Sequence, residues 1–323
     1  MTATTHAEKN VLDYEIVPAN AALGAQVRGL DLRQLNDATF EQLREAWLHH
    51  VLLVFKAQTL TAEDLVTLVK RFGTPVSSSG LHQRNLEERT ANQLFQLPPE
   101  VTVVTNVREN GKPVGILGDG EIVWHSDFSF KERPTAARML VAMEVPPQDR
   151  GGNTLFLNAY AAYDALPADY KRRLSGKTIK QGNIVDTAMK LRPGASLSDD
   201  IRLAPGPSHP IISTHPETGC NILFLGRRHA AYVNGMTLED SEAFLDELWA
   251  YGTQPRFCYT HRWNKGDVVV WDNRATVHRR DGFDPESRRV LYAAQVEGHQ
   301  PYEAPDALSR PAHGRARELL LTL

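Results

Sequence analysis

Val268-Val-Val-Trp271 is followed by Asp272-Asn-Arg274 and, four residues further on, by His278. Four consecutive apolar residues running into a polar turn read as a short buried strand whose end delivers a histidine. The same pattern recurs along the chain. Tyr14-Glu-Ile-Val-Pro18 and Ala25-Gln-Val-Arg-Gly29 read as strands around turns, and Val51-Leu-Leu-Val-Phe55 is a second continuous apolar run. Further strand segments fall at 101–107, 138–145, 154–157, 211–214, 221–225, 256–261 and 290–296. Many strands, few helices and Gly/Pro punctuation favour a mainly β protein with helical additions, a sandwich or jelly roll, over an alternating βαβ sheet.

Three amphipathic segments supply the helices. Asp37 is placed to cap one that carries Phe40, Leu43 and Trp47 on one side. Thr61-Ala-Glu-Asp64 has the spacing of a capping box and precedes Leu65, Leu68, Val69 and Phe72, with Gly73 as the stop. A late helix opens at Thr237-Leu-Glu-Asp240 and closes at Gly252. Residues 1–13 are expected to form a flexible tail and 14–323 a single domain. Weak periodicity marks lid loops near 74–100 and 180–210, and loops of that length usually serve a site. The C-terminal Arg315–Leu323 segment can dock on a neighbour or on its own barrel.

Composition narrows the partners. The 323 residues hold 36 basic and 39 acidic side chains, so nothing in the net charge of −3 draws the chain to nucleic acid or anionic lipid. No apolar stretch reaches the ~20 residues that cross a bilayer, and the first ten residues lack the core of a secretion signal. A cytoplasmic address and a small-molecule substrate are therefore expected, with no nucleic acid and no membrane. Cys220 and Cys258 are the only cysteines, which indicates neither a disulfide framework nor a thiolate zinc site.

Val123-Trp-His125-Ser-Asp127-Phe128 carries the sharpest chemistry. Residues two apart in extended chain share a face, so His125 and Asp127 can present an imidazole and a carboxylate to one point. A His-x-Asp triplet alone occurs by chance in many chains. Two histidines and one carboxylate, however, make the facial triad of non-haem iron, and His278, at a strand end near the barrel mouth, can complete it. Arg289 follows eleven residues later at the head of Val290–Val296, where one of Arg288 and Arg289 can return beside the ligand and grip a distal carboxylate. In Gly151-Gly-Asn-Thr154 the two glycines permit a tight turn and the Thr154 hydroxyl can donate to an anion.

Several motifs in order resemble one family. Trp124-His125-Ser-Asp127, Pro146-Pro with Gly151-Gly-Asn-Thr154, Ala161-Ala-Tyr163-Asp-Ala-Leu166, Tyr259–Asp267, and Trp271-Asp-Asn-Arg274 with His278 and Arg289 look like the taurine dioxygenase and 2,4-dichlorophenoxyacetate dioxygenase family. Gly24–Asp31 and Arg71-Phe-Gly73 are similar too, and the match spans about 14–298. The resemblance implies a double-stranded β-helix (jelly roll, cupin-like) and an Fe(II)- and 2-oxoglutarate-dependent dioxygenase that uses O2 and releases succinate and CO2. It assigns His125, Asp127 and His278 to the metal and Thr154 and Arg289 to 2-oxoglutarate. It implies hydroxylation or oxidative cleavage, and the carboxylate of Asp127 speaks against halogenation. In the taurine and phenoxyacetate enzymes it predicts a further arginine four residues after the 2-oxoglutarate arginine, and here that position is Ala293. The substrate is then left to His82, Arg84, Asn106, Arg108, Arg202, Ser126 and Phe128.

Two other readings use the same residues. A zinc hydrolase also accepts two histidines and a carboxylate, but has no need of a dicarboxylate clamp. A non-enzymatic jelly-roll binding protein would keep the histidines for structure. Oligomeric state is not legible in one chain, although similar enzymes commonly form homo-oligomers.

Overall fold

The computed structural model describes residues 14–77, 97–192, 194–196 and 200–320. His82 and Arg84 lie outside the described residues, as do 1–13 and most of the first expected lid.

Two sheets face each other. The strands of these sheets, in chain order, are β1 (Glu15–Pro18), β2 (Ala25–Arg28), β3 (Leu52–Phe55), β4 (Thr102–Thr105), β5 (Ile116–Leu117), β6 (Ile122–His125), β7 (Ala137–Glu144), β8 (Thr154–Asn158), β9 (Cys258–His261), β10 (Val268–Asp272), β11 (Thr276–Arg280) and β12 (Val290–Val296). The large sheet has the order β1-β2-β3-β10-β7-β12-β4-β5, and the small one β9-β8-β11-β6. This is a double-stranded β-helix with helices on the outside of the large sheet.

The apolar runs are continuous because β3, β7, β10 and β12 are buried on both faces. Val268 and Val270 pack outward with Leu53, Phe55, Met139 and Val141 against the helices α1 (Asp37–His50) and α2 (Ala62–Phe72). Val269 and Trp271 pack inward with Leu52, Val54 and Phe156 between the sheets. The period of two thus divides one strand between two cores.

Local signals set the boundaries. Thr61 and Asp64 form the expected capping box. At α1 the expectation needs correction. Asn36, one residue before Asp37, accepts the Thr39 N–H, and Asp37 is the first helical residue, where its charge suits the helix N-terminus. Val51 closes α1 in a left-handed conformation with φ 68°, so β3 starts at Leu52. The chain also forms short helices at Ala159–Asp164, Ala168–Leu174 and Gly314–Leu320, too brief for a clear amphipathic period. The C-terminal helix docks on its own barrel. Arg315 donates to the carbonyls of Ala19 and Ala21, and His313 stacks on Tyr160 with ring centres 4.0 Å apart.

Candidate metal and cosubstrate site

His125 is the last residue of β6 and His278 the middle residue of β11, and these two are register partners. Their ring centres are 4.2 Å apart. Asp127 sits two residues past the strand, in a turn pinned from three sides. The Ser126 N–H donates to Gly226 O and its hydroxyl to Thr276 O. Asn273 accepts the Asp127 N–H at 2.9 Å and donates to the carbonyls of Asp127 and Thr135. Phe128 then adopts φ 57°, a left-handed conformation unusual for an aromatic residue, which turns the chain away behind the carboxylate.

One donor atom from each of His125, Asp127 and His278 lies within 4.8 Å of the other two. His125 Nε2 is 3.6 Å from Asp127 Oδ1 and His278 Nε2 is 3.9 Å from Asp127 Oδ2. These separations exceed hydrogen bonds, so the three groups face one another without satisfying one another. His125 Nδ1 lies 2.8 Å from Val123 O, and a carbonyl can only accept, so Nδ1 carries the proton and Nε2 keeps its lone pair toward the centre. Burial alone would raise the Asp127 carboxyl, but Arg138, His278 and His125 hold it below the usual carboxylate range. Burial and the neighbouring His125 push the His278 imidazole well below its ordinary value, which favours the neutral, ligating form. The donor set therefore fits a divalent cation.

A second group of residues fits a dicarboxylate. Arg289 is 2% exposed, has no carboxylate partner among the described residues, and its Nε has no hydrogen-bond partner. Burial and the nearby Arg280 depress its guanidinium well below the normal range, so an anion is the missing stabilising element. Thr154 is buried in β8, and its Oγ1 accepts from Trp263 Nε1 at 2.9 Å, which leaves the hydroxyl proton to donate elsewhere. The preceding turn is tight. Gly151 has φ +86°, and a Cβ there would stand 2.5 Å from Gly282 O. Both Thr154 and Arg289 line the same cavity as the three candidate ligands, a space of about 580 Å³.

The substrate-facing expectations divide. Ser126 and Phe128 line the cavity. Asn106 does not. It accepts the Arg289 N–H and donates to Ser287 O, so it holds the backbone that presents Arg289. Arg108 is exposed on a hairpin and donates to Gly111 O, while Arg202 is exposed and closes on Asp200 two residues away. Neither is a lining residue, because each is satisfied locally at the surface. Within the segment 180–210, residues of Asp186–Arg192 form one wall of the cavity. Sequence reasoning missed Arg138, Arg227, Arg280 and Gln295, which line the cavity from within strands or beside them. The alternation of β7, with Met139 and Val141 outward and Arg138 and Leu140 inward, is the signal that could have found Arg138.

A mainly β scaffold with two histidines, a carboxylate and a buried arginine that has no carboxylate partner among the described residues, all around one cavity, defines a class of metal- and dicarboxylate-dependent enzymes. The family model of the taurine catabolism dioxygenase TauD, TfdA family matches residues 15–295, and the chain belongs to that family. It is 31% identical to the (S)-phenoxypropionate/alpha-ketoglutarate-dioxygenase of Sphingobium herbicidovorans, over 88% of this chain and 95% of that one. It is also 31% identical to the alpha-ketoglutarate-dependent 2,4-dichlorophenoxyacetate dioxygenase of Cupriavidus pinatubonensis, over 86% and 95%. Among solved structures, a taurine dioxygenase from Burkholderia xenovorans superposes with a TM-score of 0.70 at 27% identity, covering 91% of this chain and 94% of that one. AAD-2 in complex with Mn(II) and N-oxalylglycine gives 0.70 at 27%, covering 89% and 98%. The chain is thus a 2-oxoglutarate-dependent dioxygenase that acts on a small organic substrate and requires a metal. No helix among the described residues is long and apolar enough to cross a membrane.

Proposed function

We propose that the metal is Fe(II), held by His125, Asp127 and His278, and that O2 is the oxidant in hydroxylation or oxidative cleavage of the substrate. Thr154 and Arg289 hold the distal carboxylate of 2-oxoglutarate. The observation that carries this reading is one cavity with three mutually unsatisfied metal donors and a buried guanidinium that has no counter-ion among the described residues. Charge supports it. A divalent ion, the Asp127 carboxylate, a dicarboxylate and the Arg289 guanidinium sum to zero, and a neutral assembly is far cheaper to bury than its parts. Bound there, the metal and 2-oxoglutarate supply oxidative decarboxylation coupled to oxygen transfer, with succinate and CO2 as co-products.

The chain's own contribution is positional. Val123 O fixes the tautomer of His125, Asn273 fixes the turn that carries Asp127, and the Asp186–Arg192 wall helps exclude water. Metal analysis combined with succinate formation under oxygen tests the proposal. Fe(II) should support 2-oxoglutarate-dependent succinate release that chelation abolishes. Hydrolytic activity with Zn(II) and no succinate would favour the hydrolase reading instead.

A further inference from the structure

Two cationic poles stand in the cavity, and 2-oxoglutarate accounts for one. Arg289 and its neighbour Arg280 form the first, beside Thr154. Arg138 forms the second, beside the metal donors. Among the described lining residues the cations Arg138, Lys190, Arg227, Arg280 and Arg289 outnumber the carboxylates Asp127 and Asp186. Adding a divalent metal and a dicarboxylate leaves that positive excess unchanged.

Arg138 is 8% exposed, and its Nη1 lies 3.1 Å from Asp127 Oδ2. The contact is ionic without hydrogen-bond geometry, and both Asp127 Oδ2 and Arg138 Nε are without hydrogen-bond partners. A guanidinium has five donors, so one contact to Asp127 leaves most of its capacity unused. The neighbouring strand explains where that capacity is directed. Arg138 is the register partner of Gln295, whose buried Oε1 also has no partner, and Leu140 is the register partner of Ala293. Directly opposed residues share a face, so Arg138, Leu140, Ala293 and Gln295 all stand on the cavity side of the large sheet. Of the four, Arg138, Leu140 and Gln295 line the cavity, and Ala293, which carries only a methyl group, is buried beside them. Arg289 lies six residues before Gln295, about 20 Å of strand away. Arg289, one residue before β12, and Arg138, on β7 across from Gln295 near the other end of β12, are therefore well separated along the sheet and suited to two different anions.

On the reading that this cavity is the dioxygenase site, we infer that Arg138 is the specificity-determining residue for the primary substrate and that this substrate carries an oxyanion, a carboxylate or a sulfo group. Arg138 stands on the strand beside position 293, directly across from Gln295.

The test uses the full-length Fe(II)-loaded enzyme with 2-oxoglutarate and follows succinate release. The probes are 2-phenoxypropionate, 3-phenylpropionate and hexyl sulfate, each against a neutral counterpart: the two methyl esters and 1-hexanol. At least one acid should stimulate turnover while its counterpart does not. R138Q should raise that acid's half-saturating concentration about ten- to hundredfold, the scale of a lost charge-assisted hydrogen bond. R138K should fall between. Neutral probes as effective as the acids, or no acid acting on the wild type, would overturn the proposal. So would a loss of Mn(II) affinity in R138Q as large as the loss of acid affinity, which would assign Arg138 to Asp127 alone. Failure of the underlying dioxygenase reading is separate, because the wild type would then show no Mn(II)-dependent binding of 2-oxoglutarate.

Discussion

The cavity has one wall made of strands and another made of loop, and the two are held by different physics. His125, His278 and Thr154 belong to the small sheet, where register fixes each relative to the next. The loop wall, Asp186–Arg192, has little regular structure. It is tied by Arg227, whose guanidinium donates to Gly182 O and Val185 O, and by Asp186, whose carboxylate accepts the N–H groups of Ala188 and Lys190. A reaction centre needs ligands fixed within tenths of an ångström, which ladders provide. A substrate wall can vary with its loop while the chemistry stays constant.

Breaking the strand-built side should have the largest effect. H125A, D127A or H278A should each abolish 2-oxoglutarate turnover while circular dichroism and the melting transition show a folded protein. Substantial residual turnover in D127A would remove the carboxylate from the ligand set. N273A comes next. It removes the buried amide that pins the Asp127 turn and leaves the Asp127 N–H and carbonyl unsatisfied, which should cost about 2–4 kcal/mol in denaturant unfolding together with metal affinity. Unchanged stability would mean that the turn is held by Ser126 alone.

How far the sequence alone reveals this contrast depends on the side considered. The run Val268–Trp271 was legible because both its faces are buried, which leaves no polar interruption. The His-x-Asp spacing was legible because extended chain has a period of two. The strand β11 that carries His278 was not, since Thr276–Arg280 mixes polar and apolar residues in the manner of a loop. Arg138 was harder to read for a related reason: the alternation of β7 turns it inward, but an inward-facing cation inside an apolar strand makes sense only once a cavity lies behind it. Asn106, Arg108 and Arg202 illustrate the reverse difficulty. A polar loop residue gives no sign in sequence of whether it faces a pocket or closes on a neighbour, as Arg202 does on Asp200.

Smaller perturbations sharpen the comparison. R289M should raise the KM for 2-oxoglutarate about ten- to hundredfold without lowering the melting temperature of the ligand-free protein, because it removes a buried charge that has no partner there. A large drop in ligand-free stability would show that Arg289 is structural. On the loop side, R227M should loosen the Gly182–Val185 tether and raise the KM for the primary substrate several-fold, about 1 kcal/mol, with a smaller change for 2-oxoglutarate. Equal changes for both would erase the distinction between the walls.

Outside the cavity lining the expected effect is on stability alone. Burial pushes the Asp164 carboxyl up to about 6, above its value in the unfolded chain, so the folded state binds the extra proton. Its contribution to stability is greatest below the unfolded value and declines as pH rises through about 6. D164N should therefore stabilise the protein by about 1–2 kcal/mol at pH 7.5 and by little at pH 4. Equal stabilisation at both values would contradict a protonation origin.

The most direct measurement is an anomalous-scattering map from crystals grown with Mn(II) and 2-oxoglutarate. A metal peak is expected about 2.0–2.3 Å from His125 Nε2, His278 Nε2 and an Asp127 oxygen, with the distal carboxylate of 2-oxoglutarate on Arg289 and Thr154. A metal peak outside reach of His278, or a dicarboxylate seated away from Arg289, would contradict it.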